Sequence, residues 1–264
     1  MGKISRYFGK LRHWSLPYFI FMLFFVALPL VLIFIYAFKD AQGSFTLDNF
    51  RQFFTDSKDL KTFLYSIEVA LITTAICILI GYPAAYILSN KNLCKSEVMV
   101  MLFIIPMWIN VLVRTLATVA LFGFVNIPLG EGALIFGMVY NFLPFMIFPI
   151  YNVLKKLDHS YIEAAQDLGA NELTVFAKVT VPLSLPGVLS GVMMVFMPTL
   201  STFAISELLT LNNVKLFGTT IQENINNGMW NYGSMLALIM LVIIFVINIL
   251  SDNEETAQSG GGLI

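Results

Sequence analysis

The sequence predicts an all-α integral membrane protein with six transmembrane helices and one helical loop held outside the bilayer. Composition is the first observation behind this. Of 264 residues, 58% are apolar and 12% charged, and the mean hydropathy of +0.82 lies far from that of soluble proteins. The second is length: six apolar runs, at about 17–38, 64–88, 98–124, 133–154, 188–209 and 234–250, each suffice to cross the ~30 Å hydrocarbon layer, which takes ~20 residues. The third is the stretch 155–187, the one long polar connection with a helical pattern of its own. A formal net charge of −1 excludes a nucleic-acid-binding surface and a basic membrane-surface patch.

Residues 1–16 form a basic N-terminal segment with Lys3, Arg6, Lys10 and Arg12. The apolar run after them continues for a full span without a small-residue cleavage site, so it is a retained helix and not a signal peptide. Prolines punctuate the later runs: Pro83 in the second, Pro106 in the third, Pro144 and Pro149 in the fourth and Pro198 in the fifth. Each removes a backbone donor and kinks its helix, which suits a bundle that moves or encloses a path. The membrane domain spans 17–250, and the polar, glycine-rich segment 251–264 is predicted to be a disordered tail.

Basic residues set the orientation, because short loops rich in Lys and Arg stay in the cytoplasm. With the N-terminus inside, the inner segments carry nine such residues, among them Lys91, Lys95, Lys155, Lys156 and Lys178. The outer loops carry five: Lys39, Arg51, Lys58, Lys61 and Lys215. Both termini are therefore predicted to be cytoplasmic. Cys94 then faces a reducing compartment, which argues against a disulfide with Cys77. His13 and His159 stand without ligand spacing, so no metal site is predicted.

In the loop 155–187, Ser160 followed by Glu163 has the spacing of a capping box. A helix over 161–168 is predicted to end at Gly169 in a left-handed conformation. A second short helix follows from Asn171 to about Lys178, and the chain turns back into the membrane at Pro186-Gly187. Ala164 and Ala165 leave room for another surface to approach.

These residues resemble a known family. Glu163, Ala164, Ala165, Gly169, Val179, Val181 and Pro182 match the EAA loop of binding-protein-dependent ABC importer permeases, with valines where the usual pattern has Ile and Leu. Pro106 to Thr115, Ser206 to Leu209 and Gly218 to Glu223 are similar to the first of the two permeases in spermidine/putrescine importers. One departure is that Thr199 to Phe203 lacks an acidic residue. The resemblance implies an ABC importer permease fold in a bacterial inner membrane, with the loop as the ATPase-coupling element. It also implies a second homologous permease, two ATP-binding subunits that hold ATP and Mg, an external solute-binding protein and a polyamine cargo. Iron, thiamine or an oxyanion is the alternative cargo within the same class.

The chain has no G-x-x-x-x-G-K-[ST] phosphate loop, so it is predicted to be noncatalytic and to bear no cofactor. A stand-alone secondary transporter, the other class, would favour an internal repeat and ionisable groups at mid-membrane. Charges within the spans each need a reason. On straight helices Glu68 and Arg114 both lie in the outer part of the bundle, and a structural ion pair between them is predicted. A polycation calls for carboxylates and aromatic faces along its path, for which Trp108, Tyr140 and Glu207 are the candidates, with Glu68 in reserve.

Overall fold

A computed structural model describes residues 16–40, 42–90 and 97–260. The basic N-terminal residues, Lys91, Lys95 and Cys94 thus lie outside the described residues. Among the described residues five helices are long and apolar enough to span a membrane, or six when one bent helix pair is counted as a span. The chain divides into two units, 1–57 with 221–243 and 58–220 with 244–264.

In the first unit, α1 (Pro17–Ala37) is the first span. A π-helical turn at Leu23–Ala27 directly precedes Pro29, and a wider turn there accommodates the bulk and missing donor of the proline ring. The helix ends in a built turn. Asn49, on α2 (Asp48–Thr55), donates to the carbonyls of Ala37 at 3.1 Å and Lys39 at 3.0 Å, satisfying groups that a helix end leaves open. Phe38 packs there against Phe45 and Phe50.

The second unit is built around α6 (Glu131–Lys156). Leu134, Met138, Phe142, Met146, Ile150 and Leu154 recur every fourth residue and are all buried, giving this helix one continuous core face. α3 (Ser57–Ser89) approaches it at Gly81, where a Cβ would lie 2.9 Å from Met146. The fifth span, α8 (Glu172–Ser201), crosses α6 at Gly187 and Gly191. A Cβ at Gly191 would stand 2.7 Å from the Met146 sulfur, so small residues set this close helix approach. Tyr82 of α3 and Ser184 of α8 share a hydrogen bond of 2.8 Å. α10 (Phe217–Asn226) and α11 (Trp230–Gly260) have residues in both units.

Four expectations change. The run 98–124 is not one helix: α4 (Glu97–Ile104) passes through a 3-10 turn at Ile105–Trp108 and stops, and α5 (Val111–Val125) leaves it at 101°. Pro106 lacks a donor, and Asn110 caps the new helix by accepting from the Leu112 N–H at 2.8 Å. Hydropathy continues across a break that backbone chemistry makes. The fifth span is likewise displaced. No turn occurs at Pro186-Gly187, because a π-helical turn at Phe176–Thr180 absorbs Pro182 and carries the helix onward, as before Pro29. This span ends at Ser201, and Glu207 sits on a separate short helix, α9 (Ala204–Thr210).

The tail differs as well. α11 continues to Gly260 through Asp252, Glu254 and Glu255, because Glu, Ala and Gln favour helix even where they are too polar for the bilayer. Finally, Ser160 does not cap the loop helix. It is the first residue of α7 (Ser160–Asp167), His159 at the cap position makes no side-chain cap bond, and the Asp158 carboxylate accepts from the Ser160 N–H at 3.0 Å. The capping acid stands two residues earlier than the box predicts.

Candidate functional site

Two places in the second unit carry the candidate residues. The first is the loop between α6 and α8. α7 ends in a Schellman motif, in which the Gly169 N–H donates to the Gln166 carbonyl at 2.8 Å and the Ala170 N–H to the Ala165 carbonyl at 3.0 Å. Gly169 has φ +85°, as the sequence predicts, and nothing lies within 4 Å of where its Cβ would be. The requirement for glycine is therefore conformational and not one of space. Asn171 restarts the helix by accepting from the Thr174 N–H at 2.8 Å.

Glu163, Ala164 and Pro182 are exposed, and Ala165, Val179 and Val181 half-buried. Leu168 is 90% and Leu173 79% exposed, so the loop presents apolar side chains outward. Its inner side is anchored by Phe176, whose ring meets Tyr82 and Tyr86 of α3 edge-on at 5.9 and 5.1 Å. These contacts tie the loop to the last turns of α3. Asp158 is held below the ordinary carboxylate range by its hydrogen bonds from Ser160.

The second place is the break in the third span. An open cleft of about 550 Å³ lies there, lined by Trp108, Ile109, Asn110 and Arg114 on one side and by Pro198, Ser201 and Thr202 at the end of α8. Trp108 is 88% exposed. Arg114, 6% exposed, is the buried charge of the cleft. Its Nη1 donates to the Asn141 carbonyl at 3.3 Å, while its Nε has no partner. Asn141 is fully buried and donates to the Gly137 carbonyl at 2.8 Å and to Thr115 Oγ1 at 3.4 Å.

The predicted Glu68–Arg114 ion pair does not form. Glu68 is exposed on α3, in electrostatic reach of Tyr65, whose hydroxyl is hydrogen-bonded to Glu131. The straight-helix estimate of depth fails because the chain bends sharply just before Arg114. Tyr140, partly exposed on α6, is an electrostatic neighbour of Arg114 and stacks on Phe136 at 6.5 Å. Trp108 and Arg114 thus line the cleft at the break, whereas Tyr140 and Glu207, the latter half-buried on α9, do not. Asn110, which lines the cleft, and Asn141, which holds Arg114, are residues of this site that sequence reasoning gave no role. Pro106 followed by Asn110 was the available signal for the break; nothing local marks Asn141.

Several apolar spans, one of them bent, with an exposed two-helix loop between the fourth and fifth, fit a transport permease, a class whose members work beside ATP-hydrolysing and solute-binding partners. The family model described as the binding-protein-dependent transport system inner membrane component matches residues 78–254, and the chain belongs to this family. It is a multi-pass inner-membrane permease subunit of an ABC importer. It is 32% identical over 256 residues to the spermidine/putrescine transport system permease protein PotB of Haemophilus influenzae, covering 86% of this chain and 89% of that protein. To the PotB of Escherichia coli it is 31% identical over 217 residues, 75% of this chain and 78% of the other. Among solved structures, a bacterial ABC transporter that imports the acidic polysaccharide alginate aligns with TM-score 0.64 at 15% identity, over 96% of this chain and 98% of that one. The MetNI methionine ABC transporter aligns with TM-score 0.62 at 15% identity, over 75% and 94%. At that identity the two structures share the fold alone.

Proposed function

We propose that this chain is the noncatalytic permease for a polyamine of the spermidine/putrescine type, pairing with a second homologous permease to enclose the path. Two ATP-binding subunits, which hold the ATP and Mg, engage the loop at 155–187, and an external solute-binding protein delivers the cargo. The observation that carries the coupling role is the loop itself. Its backbone is closed by its own hydrogen bonds, its apolar side chains face outward and its inner side grips α3 through Phe176. ATP-driven closure of the motor subunits would move this knob and, through Tyr82 and Tyr86, the end of the second span.

The cargo class draws support from the PotB relatives, from the exposed Trp108 and Tyr140 near the break, and from Glu207 and Glu68 as carboxylates for an amine. Purification tests the assembly: an ATP-binding subunit and a second permease should copurify with this chain, and the chain alone should hydrolyse no ATP above background. Hydrolysis by the isolated chain would overturn the division of labour. Both termini are assigned to the cytoplasm. Cysteines placed at Lys58 or Asn213 should react with an impermeant reagent in intact cells, and those at Lys155 or Ser251 should not. An oxyanion is the second reading of the cargo, favoured by the buried Arg114 in the cleft. Competition of radiolabelled spermidine uptake by putrescine and by sulfate decides between them.

A further inference from the structure

Arg114 poses a problem that this chain does not solve. A guanidinium stays charged at every accessible pH, and burying one without a counter-ion is costly unless the charge is paired and hydrogen-bonded. Yet Arg114 is 6% exposed within a membrane span, holds one carbonyl at 3.3 Å and leaves Nε without a partner. No carboxylate among the described residues pairs with it. It lines the cleft of about 550 Å³ at the break, whose other polar lining is Asn110, Ser201 and Thr202.

Resting on the paired-permease reading above, we infer that this cleft receives a carboxylate side chain from the second permease subunit, which completes the ion pair of Arg114 across the subunit interface. Charge complementarity selects an anion, and permanence selects the subunit. An anionic cargo would leave Arg114 uncompensated in every empty state. A lipid phosphate belongs at the headgroup level, whereas Arg114 follows a break inside an apolar span. Neutralisation also serves transport, because an unpaired guanidinium beside the path would repel a polycation. The bend of 101° is what turns the first residues of α5 toward the opening. Arg114 is in this respect a docking and positioning residue and does not contact cargo.

The test uses the complete importer in native membranes, with the photo-crosslinking residue p-benzoylphenylalanine at Ile109. This cleft residue is 46% exposed, and the cap of α5 is its neighbour Asn110, so a new side chain at 109 leaves that cap in place. We expect a crosslink to the second permease, mapped to a peptide that contains Asp or Glu. Arg114→Gln, and neutralisation of that mapped acid, should each lower recovery of the second permease at least ~10-fold, the effect of ~1.4 kcal/mol. Exchanging the two charges, with Arg114→Glu opposite an introduced arginine, should restore it. Restoration separates pairing from a mere folding defect. A crosslink only to lipid, to the solute-binding protein or to this chain itself would overturn the inference, as would a mapped peptide without an acid, unchanged recovery for Arg114→Gln, or an exchange that restores nothing. If the unmodified chain recovers no second permease at all, it is the paired-permease reading that fails.

Discussion

The loop at 158–171 and the break at 105–114 are both interruptions of helix, and they are built in opposite ways. In the loop the backbone closes on itself: Asp158 caps the start of α7, a Schellman motif closes its end at Gly169, and Asn171 opens the next helix. The side chains are left outside, with Leu168 and Leu173 almost fully exposed. At the break the backbone also restarts on an asparagine, Asn110, but Arg114 and Thr115 one turn on are buried, and Arg114 lacks a full set of partners. A self-contained turn with a bare surface suits docking and release by a separate motor subunit. A turn that buries an incompletely paired charge suits a contact that is not released. Backbone closure is local and tolerant of what lies beyond it, whereas charge compensation is not.

The largest expected effect breaks the loop side of this comparison. Gly169→Val forces a β-branched residue into φ +85°, which costs a residue with a Cβ roughly 1–2 kcal/mol or more. ATPase binding and uptake should fall together by about tenfold, the equivalent of ~1.4 kcal/mol. Gly169→Asn, whose side chain tolerates this region, should retain most of both. Since no atom crowds the position, equal loss in the two variants would show that contact and not conformation matters there.

Next in size are the variants that sharpen the break. Trp108 is so exposed that Trp108→Leu removes a π face at little packing cost, and a cation–π contact of ~0.5–1 kcal/mol at an exposed site predicts a roughly 2- to 5-fold rise in KM for spermidine. Glu207→Gln should do the same at α9, without loss of the ATPase subunit. A change at Trp108 alone would place the path at the break, and a change at Glu207 alone would place it at α9. Unchanged uptake kinetics in both would remove both residues from the pathway.

A smaller effect is expected from Asn141→Leu, which deletes the hydrogen bonds to Thr115 and Gly137 and disturbs the seat of Arg114. Buried hydrogen bonds between membrane helices are worth about 0.6 kcal/mol and at most about 1.7, so thermal stability in detergent should fall by a few degrees while the loop still binds its motor. Unchanged stability would mean that the backbone carbonyl of residue 141 suffices.

The smallest effect returns to the loop. Asp158 titrates below the ordinary Asp value of 3.8 when folded, so its capping is fully present above that value. The cap is lost as the pH falls through the lower folded-state range. Amide exchange at Ser160 should therefore speed up, relative to the rest of α7, only in strong acid. In Asp158→Ala it should be fast at every pH, and a pH response that survives in this variant would point to another acid.

The class of protein, five of the spans and the glycine that closes the loop helix were legible along the chain. These follow from signals that act within a few residues: apolar length against bilayer thickness, a glycine that alone accepts φ +85°, and asparagines that cap. Local chemistry also held the break at Pro106 and Asn110, although the continuous apolar run from 98 to 124 hid it, because hydropathy measures transfer from water and not the supply of backbone donors. That the fifth span begins as early as Glu172 emerged only in the folded chain, where a π-helical turn carries the helix through Pro182. The tertiary structure alone separated Glu68 from Arg114 and set Arg114 against Asn141. Pairing depends on where distant helices place two charges, and a bend of 101° between residues 108 and 111 redirects everything beyond it by more than any spacing along the chain can reveal.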